Sequence, residues 1–364
     1  MGLEMYLEYF VNYFLSFVAL IFVLVLIHEL GHYIFAKIFK VKVEAFSVGF
    51  GREIFSFYSK SGTKFILAMI PLGGYVKMKG EMIEKDDKKD IDSDTFYAKK
   101  IWQKFLIIFA GPAFNFIFAF FIFLAVNFFI DKKVIKPVVD DVIVGSPLYK
   151  ILQKNDVINY IAEKEVKDVS KIKETIFDLA GKEITVGFLR KNKDKTIEKK
   201  VKIKVMADNV SGMEVGKLGV LFKTNNFLYV NLSFKEAFFE TINQYKNIFY
   251  MMYVGLKRMF LGKASMEEIG GPIKIAEISG DIIKENFTSW VFLIGMISIN
   301  LGIINLLPIP ALDGSYLIFY LIEAVSGRKI PYKFHNFIIK AGFFLLISLS
   351  LIVTFKDVFL LFKE

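Results

Sequence analysis

The sequence has no cysteine and only three histidines. Without cysteine there is no disulfide, no thiolate metal site and no cysteine nucleophile. That absence leaves the compartment open, since a bacterial periplasmic domain can also lack disulfides. Apolar residues, by contrast, are abundant: 54% of the 364 residues are hydrophobic and 41 are Phe, with a mean hydropathy of +0.47. Soluble domains run at about 45–50% apolar, so an integral membrane protein is the first expectation. Lys+Arg outnumber Asp+Glu by 47 to 37. In a soluble chain this would point to nucleic acid. Here lysines flanking apolar spans and facing anionic lipid account for it, so membrane lipid is an expected partner and nucleic acid is not.

Four runs lack charge. Tyr9–Ile27 has 19 residues, Phe105–Ile130 has 26, Asn286–Leu312 has 27, and Ala341–Phe355 has 15, extended by Phe334–Ile339 across Lys340. About 20 apolar residues cross a bilayer, so about four transmembrane helices are expected. The first run starts acidic (Glu4, Glu8) and is followed by no small-residue cleavage site, unlike a signal peptide. Tyr33–Ile101 carries 13 Lys/Arg and the tail Met1–Glu8 none. The positive-inside rule then puts Tyr33–Ile101 in the cytoplasm and both termini and Asp131–Glu285 outside. Within that outer stretch, Lys136–Val144, Asp156–Ile161 and a hairpin of Ile184–Arg190 with Thr196–Val205 read as strands. Ser170–Ala180 reads as a helix with Ser170 as N-cap and Gly181 past its end, giving a small α+β domain. Ser233–Leu261 is too polar to span and reads as an amphipathic surface helix. Glu81–Asp94 reads as a solvated loop.

The chemistry concentrates in two places. His28-Glu29-Leu30-Gly31-His32 ends the first span. On a helix, positions i and i+4 share a face about 6 Å apart along the axis, so both imidazoles can bind one metal, and Glu29 beside them can take a proton from the attacking water. A tetrahedral catalytic zinc takes three protein ligands. With no cysteine and no third nearby histidine, the third should be a carboxylate. Glu285 and Asp313 border the third apolar run, and the topology puts Asp313 on the side of the histidines. Pro308 and Pro310 before it would unwind the helix and free backbone groups next to the site. The remaining histidine, His335, reads as an interfacial side chain. Lys64–Ile70 reads as an exposed strand edge able to hold a substrate extended by β-augmentation, with Gly73 and Gly74 turning the chain near the site. Gly111-Pro112 reads as a helix start.

The segments His28–His32 and Asn305–Gly314 (NLLPIPALDG) together resemble the two signature motifs of the site-2 protease family of intramembrane zinc metalloproteases, closest to its bacterial regulator of sigma-E protease branch. Lys42–Gly51 (KVEAFSVGFG) and Ile70–Met78 (IPLGGYVKM) resemble that branch's membrane-associated β-loop. Ala110–Phe116 (AGPAFNF) resembles the start of its second span, and Ile269–Ala276 (IGGPIKIA) the segment before its third. Asp140–Val166 resembles the opening of a single PDZ domain, with Asn155 where such domains carry Gly. The resemblance implies an α-helical integral membrane protein with a cytoplasmic β-loop and an inserted extracytoplasmic PDZ domain. It implies Zn2+ on His28, His32 and Asp313, Glu29 as general base and acid, and Asn305 on the substrate backbone or oxyanion, with a helix–helix hydrogen bond as the other reading of Asn305.

The implied domains are 1–32, transmembrane helix 1; 33–101, β-loop; 102–130, helix 2; 131–225, PDZ; 226–285, membrane-surface region; 286–314, helix 3; and 315–364, a cytoplasmic connection and helix 4. The implied activity is hydrolysis of single-pass transmembrane substrates, such as an anti-sigma factor or leftover signal peptides, in a bacterial inner membrane. A non-catalytic zinc-binding scaffold with a PDZ module is the alternative. The oligomeric state is left open.

Overall fold

Among the described residues, four helices are long and apolar enough to cross a membrane: Asn12–Ile38, Ile101–Phe129, Phe287–Leu306 and Asn336–Phe359. The computed structural model of the chain describes residues 10–81, 92–192, 195–210, 213–262, 270–328 and 330–361. Most of the expected loop at Glu81–Asp94 (82–91), the tail Met1–Glu8, Ile269 and the side chain of His335 lie outside the described residues. The chain forms two compact units, Met1–Val126 with Phe238–Glu364, and Asn127–Ala237. In order, the elements are α1 (Ser16–Ile38), β1 (Val43–Tyr58), β2 (Lys64–Met78) and α2 (Ile101–Phe129), then β3 (Lys132–Ile135), β4 (Val139–Val142), β5 (Val157–Ile161), β6 (Lys164–Glu165), α3 (Val169–Ile176), β7 (Glu183–Asn192), β8 (Lys195–Lys204), β9 (Met206–Val210), β10 (Met213–Lys217), β11 (Val220–Phe222) and β12 (Phe227–Val230). Helices α4 (Phe234–Phe260), α5 (Pro272–Glu285), α6 (Phe287–Leu306), α7 (Asp313–Ser326) and α8 (Tyr332–Leu361) complete the chain.

Lipid tails are as apolar as leucine, so spanning helices associate through close packing at small residues rather than by expelling water. A Cβ built on Gly31 of α1 would lie 2.2 Å from the Ala110 carbonyl oxygen of α2. One on Gly302 of α6 would lie 2.9 Å from the Phe116 ring and 3.2 Å from the Pro112 carbonyl oxygen. Glycine thus brings α1 and α6 against the α2 backbone. Leu20 and Leu24 of α1 pack with Trp290 and Ile294 of α6 in one buried layer. Polar groups in this layer find partners: Trp290 Nε1 donates to Ser279 Oγ at 2.8 Å, and Ser279 Oγ donates to Ser16 Oγ at 3.1 Å.

The expected helix start at Gly111-Pro112 is corrected, since Pro112 lies inside α2. Neighbouring helices tolerate an interior proline in a span by packing over the freed backbone. The third span also ends earlier than its charge-free run. Leu307 leaves the helix with φ −65° and ψ 148°, which is the conformation a residue before proline prefers. A new helix, α7, then starts at Asp313, within the stretch read as helix 3, and runs on to Ser326 in the stretch read as a connection.

Strands β1 and β2 are both long and bent. The first half of β1 pairs on one side with the end of β2 (Ser47 with Tyr75, Val48 with Gly74) and on the other with its beginning (Ser47 with Ile66, Val48 with Leu67). The second half of β1 pairs with that beginning from the far side (Phe55 with Leu67, Phe57 with Phe65). Lys64–Leu67 is therefore paired on both sides and is not the exposed edge expected of it. Gly74–Met78 has a strand partner on one side only among the described residues.

In the unit Asn127–Ala237, β6-β5-β7-β8 form a four-stranded sheet, and β4–β11, β3–β12 and β9–β10 form pairs. Its core includes Leu148, Ile158, Ile161, Ile172, Val186 and Phe188, each at most 1% exposed. Burying each such side chain contributes about 1.5–3 kcal/mol. The N-cap of α3 is Asp168 and not Ser170: Lys171 N–H donates to Asp168 Oδ1 at 2.9 Å. A carboxylate there also meets the positive end of the helix dipole. Asn155 has φ +75°, a left-handed conformation that asparagine adopts more readily than other side-chain-bearing residues.

Candidate metal centre

The helical spacing of His28 and His32 puts both imidazoles on the α1 face that meets α2, where they are 9% and 7% exposed. Their Nε2 atoms are 3.2 Å apart. The break over 307–312 carries Asp313 to the first position of α7, and its Oδ2 lies 3.0 Å from His28 Nε2 and 3.5 Å from His32 Nε2. Among the described residues these three form the group of His, Asp and Glu side chains able to hold a metal ion.

The donors fit zinc. Tetrahedral bonds of about 2.0–2.1 Å set ligand atoms roughly 3.3–3.4 Å apart, and the three observed edges run from 3.0 to 3.5 Å. Asp313 Oδ2 is also buried with no hydrogen-bond donor aligned on it. Such an atom is costly unless a partner is supplied, and a cation between the imidazoles supplies one.

Helix α2 holds the imidazoles from behind. His32 Nδ1 donates to the Ile107 carbonyl oxygen at 2.9 Å. A carbonyl only accepts, so Nδ1 carries the proton and Nε2 keeps its lone pair for a metal. One turn on, a Cβ built on Gly111 would lie 2.3 Å from His32 Nε2 and 2.9 Å from His28 Cε1; no side chain fits there beside the rings. One turn further, Asn115 Nδ2 lies 3.1 Å from His28 Nδ1, and the Asn115 carbonyl oxygen accepts from Ser298 Oγ at 2.9 Å.

Glu29 follows His28 and is also buried, at 9% exposure. Gly74 of β2 backs onto it: a Cβ there would lie 3.0 Å from Glu29 Cγ. Gly73 has φ +114°, and a Cβ would strike the Phe50 ring at 2.6 Å. The structure thus gathers His28, Glu29, His32, Asp313 and Gly74, with Gly73 adjoining. Asn305 sits half-buried in the last turn of α6, and no hydrogen bond links it to the cluster among the described residues. Pro308 is exposed. Pro310 packs against α8, where a Cβ on Gly342 would lie 2.2 Å from Pro310 Cβ.

The residues that sequence reasoning missed are Ile107, Gly111 and Asn115. Their signal was an asparagine inside a charge-free run with a glycine four residues before it, on the same helical face.

Residues 16–349 match the model of peptidase family M50. Three bacterial relatives are each described as a "putative zinc metalloprotease". That of Rickettsia conorii is 33% identical over 343 residues, 93% of this chain and 96% of the relative. That of Campylobacter jejuni is 33% identical over 342 residues, 91% of this chain and 89% of the relative. That of Helicobacter pylori is 32% identical over 340 residues, 91% and 94% respectively. Over 23% of its length the chain also aligns with the PDZ domain of an SdrC-like protein from Listeria monocytogenes, covering 84% of that domain at 20% identity and a TM-score of 0.20. The relatives match over almost their full length, and the four apolar helices among the described residues make this a multi-pass membrane protein. The chain belongs to peptidase family M50, the site-2 protease family, and its metal is zinc.

Proposed function

We propose that the protein is an endopeptidase that cuts single-pass transmembrane proteins within or near their spanning segments. The observation that carries this reading is the three-atom cluster of His28 Nε2, His32 Nε2 and Asp313 Oδ2 with edges of 3.0–3.5 Å, beside the buried carboxylate of Glu29. His28, His32 and Asp313 hold the metal. Zinc, when bound, polarises the scissile carbonyl and lowers the pKa of a water. Glu29 accepts the proton of the attacking water and passes it to the leaving amine. Among the described residues no lysine or arginine pairs with Glu29, which leaves its carboxylate available for that transfer.

A helical substrate hides its peptide bonds in its own hydrogen bonds. The Gly74–Met78 edge, unpaired on one side and backed by Glu29, is placed to hold an unwound segment by β-augmentation. Asn305 sits eight residues before Asp313 and would stabilise negative charge on the substrate carbonyl. The site faces the cytoplasm of a bacterial inner membrane, with both termini and the PDZ-like unit outside. That unit filters substrates by the size of their outer domains. An anti-sigma factor already trimmed outside, or a leftover signal peptide, has the required form.

The test uses purified protein, metal analysis and a tagged transmembrane substrate. Glu29→Gln is nearly isosteric but not basic. It should keep zinc and lose ~10²- to 10⁴-fold in cleavage rate, the range of positioned acid–base catalysis. Wild-type cleavage by zinc-loaded Glu29→Gln would overturn the mechanism. No cleavage by the zinc-loaded wild type, against any membrane substrate, would favour a metal-binding scaffold.

A further inference from the structure

Asn115 lies in the segment that resembles the start of the family's second span, but neither that resemblance nor the proposed mechanism gives it a role. It is fully buried, with 0% exposure, in the middle of a spanning helix. A buried amide in an apolar layer is costly unless its donors and acceptor are matched. Only one of its side-chain contacts is accounted for. Nδ2 lies 3.1 Å from His28 Nδ1, while Oδ1 is buried without a partner.

The two histidines therefore differ. His32 Nδ1 faces a carbonyl and must carry a proton, so its Nε2 is bare. With Nδ2 donating to it, His28 Nδ1 accepts, and the proton of a neutral imidazole moves to Nε2. That N–H, on the atom 3.0 Å from Asp313 Oδ2 but not aligned on it, blocks the lone pair a metal needs. Turning the Asn115 amide by 180° about its last torsion exchanges Oδ1 and Nδ2 with almost no change in shape. The stranded Oδ1 then accepts from His28 Nδ1–H, and the Nε2 lone pair is released toward His32 and Asp313. One rotation thus gives Oδ1 a donor and frees the His28 Nε2 lone pair.

We propose that Asn115 is a positioning residue for the metal centre: its Oδ1 accepts from His28 Nδ1–H and holds His28 in the tautomer that presents Nε2 to zinc. This rests on the reading of His28 as a zinc ligand. The α2 face Ile107–Gly111–Asn115 is then one device. A backbone carbonyl sets the tautomer of His32, an absent side chain makes room for both rings, and an amide oxygen sets the tautomer of His28. Ser298, by donating to the Asn115 carbonyl at 2.9 Å, ties that face to α6.

The test is zinc affinity of the full-length chain in detergent, read by competition with a chromophoric chelator, so that it does not depend on cleavage. Asn115→Leu keeps the volume but removes the acceptor. Outer-shell partners of metal-bound histidines typically contribute 10–100-fold in affinity, so Asn115→Leu should bind zinc ~10–100-fold more weakly than wild type. Asn115→Asp keeps an acceptor oxygen at the same place and loses the amide donor; it should restore affinity to within a few-fold of wild type. Wild-type zinc affinity in Asn115→Leu would overturn the proposal. So would an Asn115→Asp chain as weak as Asn115→Leu, because the part played by Asn115 would then be donation from Nδ2, which both variants lose. A wild-type chain that binds no zinc would instead remove the metal-site reading itself, and this inference with it.

Discussion

Gly74 of β2 lies directly against Glu29 of α1. A Cβ built on Gly74 would sit 3.0 Å from Glu29 Cγ and 2.6 Å from the Ser47 carbonyl oxygen. A strand edge and the carboxylate beside the histidine pair are thus packed backbone to side chain, with no atom to spare between them. The contact joins the element suited to holding an extended peptide to the residue suited to moving its proton.

Gly74→Val should displace Glu29, the β2 edge or both. Misplacement of about 1 Å can cost ~10²-fold in rate. Cleavage should fall by about that factor while zinc content stays at the wild-type level, because the three atoms nearest a Cβ at Gly74 belong to Ser47, Val25 and Glu29 and not to His28, His32 or Asp313. Cleavage assays and metal analysis on the same sample check this, and unchanged cleavage would separate Gly74 from the reaction.

Asp313→Asn should act on the metal first. It removes the negative charge facing His28 Nε2 and His32 Nε2 at 3.0 and 3.5 Å. Zinc affinity should fall by more than the ~10–100-fold expected for an outer-shell partner, and cleavage should fall with it. Chelator competition measures the loss. Full zinc retention would exclude Asp313 as a ligand.

The proposed orientation can be read in this cysteine-free chain by single cysteines at Ser93 and Ser170. An impermeant thiol reagent on intact cells should label position 170 and spare position 93. The opposite pattern would invert the topology.

In the unit Asn127–Ala237, Arg190 donates to Asp156 through Nε at 2.9 Å and through a terminal nitrogen at 2.6 Å. The Asp156 side chain is 2% exposed. Removing the partner of a buried charge typically costs ~3–5 kcal/mol, so Arg190→Ala should destabilise this unit by about that much. Lys171→Ala, which breaks an exposed pair with Glu174, should cost about 0–1 kcal/mol. Denaturant midpoints from limited proteolysis of the unit measure both, and equal effects would contradict the burial argument.

Charge-free runs revealed the spans because hydrocarbon excludes unpaired charge whatever the fold. The HELGH spacing revealed the histidine pair because the period of a helix is local. Asp313 was legible from its sign, its place at a span end and the resemblance of its segment. The sequence was less informative wherever a residue's role depends on its neighbours across space. Pro112 looked like a helix start, but packing over it keeps α2 continuous. Ser170 looked like an N-cap, yet Asp168, two residues earlier, takes the bond. Lys64–Ile70 looked like a free edge, but the curl of β1 pairs Lys64–Leu67 on both sides and moves the free edge to Gly74–Met78. Ile107 and Asn115 looked like ordinary membrane residues. Only the crossing of α1 on α2, allowed by Gly31 and Gly111, puts a carbonyl behind one imidazole and an amide behind the other. Local periodicity and solvent preference are written in consecutive residues; hydrogen-bond partners 75 and 87 positions apart exist only once two helices are packed.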